Sequence, residues 1–158
     1  MINGDIMTRI MFVCHGNICR SPMAEFVMKK LVAENGREDD FFIASAATHT
    51  DEIWAGNGNP IYPPARRELM KNNIPFDSSK RATLLTRDDG DEYDLFIGMD
   101  EENIRFMHKI LGESSKRKIY KLLDFSNGED VSDPWYTGNF DRAFSDIEQG
   151  CEALLKEL

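Results

Sequence analysis

The sequence is short of cysteine, of basic residues and of long apolar runs, and each shortage removes a class of protein. Three cysteines in 158 residues is an odd count, too low for a secreted scaffold built on disulfides. The cysteines are therefore read as core residues, ligands or reactive thiols, and a reducing cytoplasmic setting is the expectation. No apolar run approaches the roughly 20 residues that span a bilayer. The first residues, MINGDIMT, carry Asp5 and lack the basic-then-apolar order of a secretory signal. Lys and Arg total 19 against 28 Asp and Glu, a formal charge of −9. Nucleic acids and anionic membranes both require a basic face, so neither is an expected partner. A small anionic group needs only a local positive field and stays open.

What is present fits one globular domain. Hydrophobic residues make up 41% and charged residues 30% of the chain, and the length suffices for a core without staples. Four short apolar runs read as buried strands: Arg9–Cys14, Phe41–Ala46, Tyr93–Met99 and Lys118–Leu123. Helical spacing alternates with them. It is carried by Met23, Phe26, Val27 and Leu31 after Pro22, and by Leu69 and Met70 within 64–72. It recurs through Ile104, Met107, His108 and Leu111 within 101–111, and through Phe140, Phe144, Ile147, Cys151, Leu154 and Leu155 within 140–158. Such alternation predicts an α/β fold in three layers, a four-stranded parallel sheet with helices on both faces. Ligands of open parallel sheets bind beyond the strand C-termini, where the strand order switches. The loops after Val13, Ala46, Met99 and Leu123 are the places to seek chemistry. Eight carboxylates and no Lys or Arg lie between Asp88 and Glu102, which reads as a solvated face, with an acidic docking surface for a basic partner as the lesser reading. By contrast, no acid lies between Arg9 and Glu25.

That acid-free stretch holds Cys14-His15-Gly16-Asn17-Ile18-Cys19-Arg20-Ser21-Pro22, where a strand turns into a helix with Pro22 near its first position. A helix N-terminus exposes unpaired N–H groups and the positive end of its dipole, so a loop wrapped there cradles an anion. Gly16 gives backbone freedom and Asn17 tolerates left-handed geometry. Arg20 matches two phosphate oxygens with its planar fork. Cys14 at the base of the cradle is expected to have a lowered pKa, with Ser21 donating to its thiolate. A cysteine ending a buried strand is by default a core residue, but here nucleophile, cradle, Arg and helix start coincide. Zinc binding by Cys14, His15 and Cys19 lacks a second ligand pair, because His49 and His108 lie in other segments.

Attack of a thiolate on phosphorus needs an acid for the leaving group, since a phenolate leaves poorly, the pKa of its conjugate acid being about 10. Asp133, in Asp133-Pro134-Trp135-Tyr136 beyond the fourth strand, is the candidate. Trp135 and Tyr136 would wall an aromatic substrate. An Asp-Pro pair alone reads as a plain turn; paired with the Cys14 loop it gains meaning.

With these residues the sequence resembles the low-molecular-weight protein tyrosine phosphatases. The likeness is carried by Val13-Cys14 with Gly16 to Pro22 and Ala24-Glu25, by Ser45-Ala46-Ala47-Thr48, by Met99-Asp100 with Asn103, and by Asp133-Pro134 with Tyr136. It runs from about Arg9 to the last helix, which implies a phosphatase domain over 9–158 and an N-terminal extension over 1–8, of which Met1–Ile6 would be disordered or absent from the native product. The resemblance implies Cys14 as a nucleophile that forms a phosphocysteine, Arg20 as phosphate clamp, and Asp133 as general acid and then general base. His15, Gly16, Asn17, Ile18, Cys19 and Ser21 would form the phosphate loop. Asn17, Ser21 and Ser45 would support it by hydrogen bonds. Cys19 would pair reversibly with Cys14 under oxidation. No metal and no cofactor are implied. The partners implied are a phosphotyrosine protein, with phosphate or another oxyanion in the loop, and the default state is a monomer.

The departures from the family are specific. Relatives often carry a histidine after the second helix, bonded into the loop-holding network; Pro75 to Arg81 contains none. The stretch from His49 to Pro60 is a few residues longer than usual, and Trp54 is expected to supply the aromatic wall from a shifted position, or else to cover the loop's own core. His15 stands where a small or apolar residue is common, and would add positive potential when protonated. Cys151 belongs to the core stripe of the last helix. Three other readings stay open. Protein arginine phosphatases share this fold but typically carry Thr at the position of Ile18. Thiol-dependent arsenate reductases need a downstream cysteine pair, and only Cys151 is available. A silent phosphate-binding module would lack the nucleophile or the acid, and both are present.

Overall fold

The computed structural model describes residues 7–158, so the expectation for Met1–Ile6 lies outside the described residues. The first strand, β1 (Thr8–Cys14), starts inside the stretch expected as an extension. It is followed by α1 (Arg20–Glu34), β2 (Phe41–Ala47), a hairpin of β3 (Ile53–Trp54) and β4 (Asn57–Gly58), and α2 (Pro63–Lys71). Then come α3 (Asp89–Glu92), β5 (Leu95–Gly98), α4 (Glu101–Leu111), β6 (Ile119–Lys121), α5 (Pro134–Thr137) and α6 (Phe140–Glu157). No helix among the described residues is long and apolar enough to cross a membrane.

Four strands form one parallel sheet in the order β2-β1-β5-β6. The chain leaves β1 on one side to form β2 and later returns to the other side as β5. The switch in strand order therefore falls at β1, and Cys14 is its last residue. A crevice for a ligand opens at such a point. Strand periodicity assigns the two faces. Ile10, Phe12 and Cys14 join the larger core with α1, α2 and α6. Met11 and Val13 join the smaller core with Phe96, Met107 and Leu111 under α4. Both faces of β1 are covered, which accounts for its continuous apolar run.

The expected strands and helices all form, with shifts at their ends. The third strand is Leu95–Gly98 rather than Tyr93–Met99, and the fourth is Ile119–Lys121 rather than Lys118–Leu123. The fourth stops early because Leu122–Phe125 curls into a 3-10 turn, where Asp124 Oδ2 accepts from the Lys121 N–H at 3.0 Å. Pro22 stands at the third rather than the first position of α1, which begins at Arg20. At Gly98 a Cβ would sit 2.9 Å from Met107 Sδ and 3.1 Å from Ile104 Cδ1. A side chain at this position would force Met107 and Ile104 to shift where α4 lies close on β5.

Candidate active site

The β1-to-α1 turn closes on the Cys14 sulfur. The backbone N–H groups of Asn17 and Ser21 donate to Sγ at 3.3 and 3.4 Å, and Ser21 Oγ lies 3.0 Å from it. Asn17 makes this possible by adopting φ +60°, a left-handed conformation that Asn tolerates better than most residues. Gly16 does not use its conformational freedom in that way. What it supplies is space, since a Cβ there would come 3.1 Å from the Glu52 Cγ.

The Asn17 side chain then fixes the turn from beneath. Its Nδ2 donates to Ser21 Oγ at 2.8 Å and to Ser45 Oγ at 2.9 Å, while its Oδ1 accepts from the Thr83 N–H at 3.0 Å. Ser45 Oγ donates in turn to Glu25 Oε1 at 2.6 Å. Lys80 Nζ and Thr83 Oγ1 both donate to the Ser45 carbonyl, at 3.0 and 3.2 Å. Asn17, Ser21, Glu25 and Ser45 are all buried, so these bonds are made away from water, where leaving one unmade is costly. Lys80, Thr83 and Glu25 thus complete the network without the histidine found in many relatives. Burial pulls the Lys80 pKa down, against the Glu25 charge that supports it.

Arg20, at the start of α1, is buried and has three partners. Nη1 donates to Asp100 Oδ2 at 2.8 Å and to the Val131 carbonyl at 2.9 Å, and Nη2 reaches Asp133 Oδ2 at 3.4 Å. Burial works against the guanidinium charge, but Cys14, Asp100 and Asp133 outweigh it and hold the pKa above the ordinary arginine value. Asp133 precedes α5 and caps it, its Oδ1 accepting from the Trp135 N–H at 3.0 Å. Cys19 is pushed the other way: burial first, then the Cys14 and Asp133 charges, raise its thiol pKa well above the usual value. It stays a neutral thiol beside the site. All three cysteines are free.

The pocket above Cys14 has a volume of about 200 Å³ and is lined by every residue from Cys14 to Arg20, with Asp133, Trp135 and Tyr136 along another wall. Asp51, Glu52 and Glu102 complete its mouth. The loop at 14–22 and the segment at 133–136 therefore meet at one pocket. Ser21 and Ser45 lie beneath the loop rather than in the pocket. Trp135 is braced by Tyr62, whose ring centroid is 5.2 Å away, and Tyr62 itself donates its N–H to the Ile18 carbonyl at 2.9 Å. Trp54 does not line the pocket. It stands 84% exposed on the β3–β4 hairpin, just before a turn in which Ala55 and Gly56 both take positive φ. That tight turn lifts it off the body of the protein, so it covers no core of its own either.

Asp100, Glu102, Asp51 and Glu52 were not singled out as site residues in the sequence. The signal for Asp100 was its place directly after β5 at the active edge of the sheet. Among the described residues, no cluster of three or more His, Cys, Asp and Glu side chains is arranged to hold a metal ion. His15 and His49 stack on each other rather than converging on a common centre with the two cysteines.

A thiol that shares its turn with converging N–H groups, next to a buried guanidinium, is suited to press a tetrahedral oxyanion against sulfur. That chemistry, at the switch point of a parallel sheet, defines the broad class of this protein. Comparison with known proteins narrows it. The chain belongs to the low molecular weight phosphotyrosine protein phosphatase family, whose model matches residues 9–158. It is similar to the low molecular weight protein-tyrosine-phosphatase YfkJ of Bacillus subtilis, with 38% identity over 155 residues and 96% of each chain covered. The crystal structure of YfkJ matches with a TM-score of 0.87 at 37% identity, covering 96% of this chain and 94% of that one. The low molecular weight protein-tyrosine-phosphatase PtpA of Staphylococcus epidermidis is 36% identical over 152 residues, 94% of this chain and 92% of its own. The low molecular weight protein tyrosine phosphatase SP-PTP of Streptococcus pyogenes matches in structure with a TM-score of 0.86 at 36% identity, covering 96% and 93%.

Proposed function

We propose that this protein hydrolyses phosphotyrosine in proteins, and small aryl phosphates, through a phosphocysteine at Cys14. The phosphoryl oxygens are held by the N–H groups of the 14–20 loop and by Arg20. The Cys14 sulfur attacks phosphorus, the S–P bond forms and the P–O bond to the phenol breaks. Asp133 gives its proton to the departing phenolate. In the second step Asp133, now a carboxylate, takes a proton from water as its oxygen attacks phosphorus. The S–P bond breaks, phosphate leaves and the thiolate returns. Asn17, Ser21 and Ser45 keep the loop in shape. Trp135 and Tyr136 face the phenyl ring, and Ile18, buried and apolar within the pocket lining, suits that ring better than a guanidinium. The same feature disfavours a protein arginine phosphatase. Cys19, a neutral thiol five residues from Cys14 in the same loop, is proposed to trap an oxidised Cys14 as a disulfide. The enzyme is read as a monomer acting in a reducing cytosol.

The observation that carries this reading is the convergence of two N–H groups and the Ser21 hydroxyl on Cys14 Sγ, in a pocket that Asp133 also lines. The test is hydrolysis of an aryl phosphate without added metal, beside Cys14→Ser and with a phosphoarginine competitor. Turnover should vanish in Cys14→Ser while oxyanion binding survives, and phosphoarginine should compete poorly. Wild-type turnover by the variant would refute the nucleophile. Strong competition by phosphoarginine would redirect the substrate assignment.

A further inference from the structure

We propose that His15 sets how tightly the phosphate loop holds an oxyanion, and that its pairing with Asp51 makes this grip depend on pH. The inference rests on the Cys14 loop being the oxyanion site proposed above, and gives a role to a residue that the reaction itself does not use.

His15 follows Cys14 directly and lines the pocket. Its ring is held on two sides. Nε2 lies 2.8 Å from Asp51 Oδ2, and one face stacks on His49 with centroids 4.0 Å apart and planes 7° from parallel. His49 is fixed in turn. Its Nδ1 lies 2.7 Å from Thr48 Oγ1, and its ring meets Phe106 of α4 edge-on at 4.5 Å. Backbone bonds from the His49 N–H to the His15 carbonyl (3.1 Å) and from the Thr48 N–H to the Cys14 carbonyl (3.0 Å) tie the two segments together. The imidazole cannot swing away without breaking this column, so its charge acts from a fixed place at the pocket mouth.

The groups around it make that charge count. Asp51 and Glu52 face it from the loop after β2, Glu102 from α4 and Asp133 from the segment before α5; Cys14 and Arg20 belong to its own loop, and His49 is its stacking partner. Arg20 is buried and already shared between Asp100 and Asp133. At the mouth, three carboxylates stand against His15 alone. Parallel imidazoles at van der Waals contact repel when both are charged, and the Asp51 carboxylate sits on His15 rather than on His49. Asp51 stays ionised throughout, because the hydrogen bond from His15 holds its carboxyl below the usual range. With His15 protonated, Asp51 is neutralised as a pair. With His15 neutral, Asp51 adds an unopposed negative charge on the path of an incoming dianion. One charge at this range in a half-solvated mouth changes anion affinity by about three- to tenfold.

Sulfate is the probe, since its own charge is constant where imidazoles titrate. The background is Cys14→Ser, which removes the thiol's titration and needs no turnover. Calorimetric titration from about pH 5 to about pH 8 should show affinity falling about three- to tenfold as the pH rises. Adding His15→Asn should flatten that step. Adding Asp51→Asn, an exposed change that spares folding, should tighten sulfate binding at the upper end. Adding His49→Phe should keep the step. An unchanged profile in both the His15→Asn and Asp51→Asn proteins overturns the proposal while leaving the phosphatase reading intact. Failure of Cys14→Ser to bind sulfate at any pH overturns the oxyanion cradle itself, and the His15 proposal with it.

Discussion

Arg20 Nη1 lies 2.8 Å from Asp100 Oδ2, joining the start of α1 to the start of α4 across the active edge of the sheet. The same carboxylate caps α4, its Oδ1 accepting from the Asn103 N–H at 2.8 Å while Asn103 Oδ1 bonds back to the Asp100 N–H. One side chain thus aims the guanidinium and starts a helix. The two tasks separate by substitution. Asp100→Asn keeps an acceptor for the helix but removes the charge, whereas Asp100→Ala removes both. Breaking one side of a buried pair costs about 3 kcal/mol or more, and losing a cap about 1 kcal/mol. Urea unfolding should place Asp100→Ala about 1 kcal/mol below Asp100→Asn, and both should show a raised KM for aryl phosphates. Unchanged KM in both would mean that Arg20 is aimed without Asp100.

Asp133 presents a different division of labour. Its Oδ2 faces Arg20 and its Oδ1 caps α5, so Asp133→Asn is the control that keeps the cap. For aryl phosphates of increasing leaving-group pKa, Asp133→Ala and Asp133→Asn should both steepen the dependence of kcat/KM on that pKa. The loss for the poorest leaving groups should reach about 10²–10⁴-fold and shrink toward the best. An equal loss across the series would show that Asp133 only shapes the loop.

Asn17 combines a left-handed backbone with four side-chain and backbone bonds around Cys14. Asn17→Gly tolerates the conformation but drops the side-chain bonds, and Asn17→Ala is strained as well. Thermal melts should rank wild type above Asn17→Gly above Asn17→Ala, the last two separated by about 1 kcal/mol. Both variants should lose most of their kcat/KM, because the bonds that tie the loop to Ser21, Ser45 and the Thr83 N–H are lost together. If Asn17→Gly retained full activity, the loop would be shaped by its N–H groups alone.

The legibility of this site follows how far its parts are separated in the chain. The cradle from Cys14 to Ser21 could be read directly, because one strand-to-helix turn holds it all. Asp133 could be read because the chemistry demands an acid and Asp-Pro offered one in the right loop. The partner of Arg20 could not, since Asp100 lies 80 residues away and only the register of β1 beside β5 brings the two together. Trp54, aromatic and near Thr48 in sequence, reads as part of the pocket wall. A two-residue hairpin with Ala55 and Gly56 in its turn carries it outward instead. The fourth strand reads longer in the sequence than it is in the fold. Apolar Leu122 and Leu123 are buried in a 3-10 turn as fully as they would be in a strand, and burial alone does not tell the two apart.

Glu68 and Asp141 link α2 to the first turn of α6 with Lys71, whose Nζ donates to Asp141 Oδ1 at 2.8 Å. Burial, and then the neighbouring Asp141 carboxylate, push the Glu68 pKa up to about 7 from an ordinary value of 4.5. Asp141 is held low by the bond from Glu68 and by Lys71, so its own titration falls below that window. Between the two Glu68 values the folded protein binds more protons than the unfolded chain. Stability therefore falls as pH rises through the window, and the full penalty is present above it. Glu68→Gln keeps the hydrogen-bonding shape and removes the titration. Its Tm should match wild type near the lower end of the window and exceed it by a growing margin up to about pH 8. Thermal melts of both proteins at one-unit pH intervals decide the matter, and a margin independent of pH would mean that Glu68 shares no proton with Asp141.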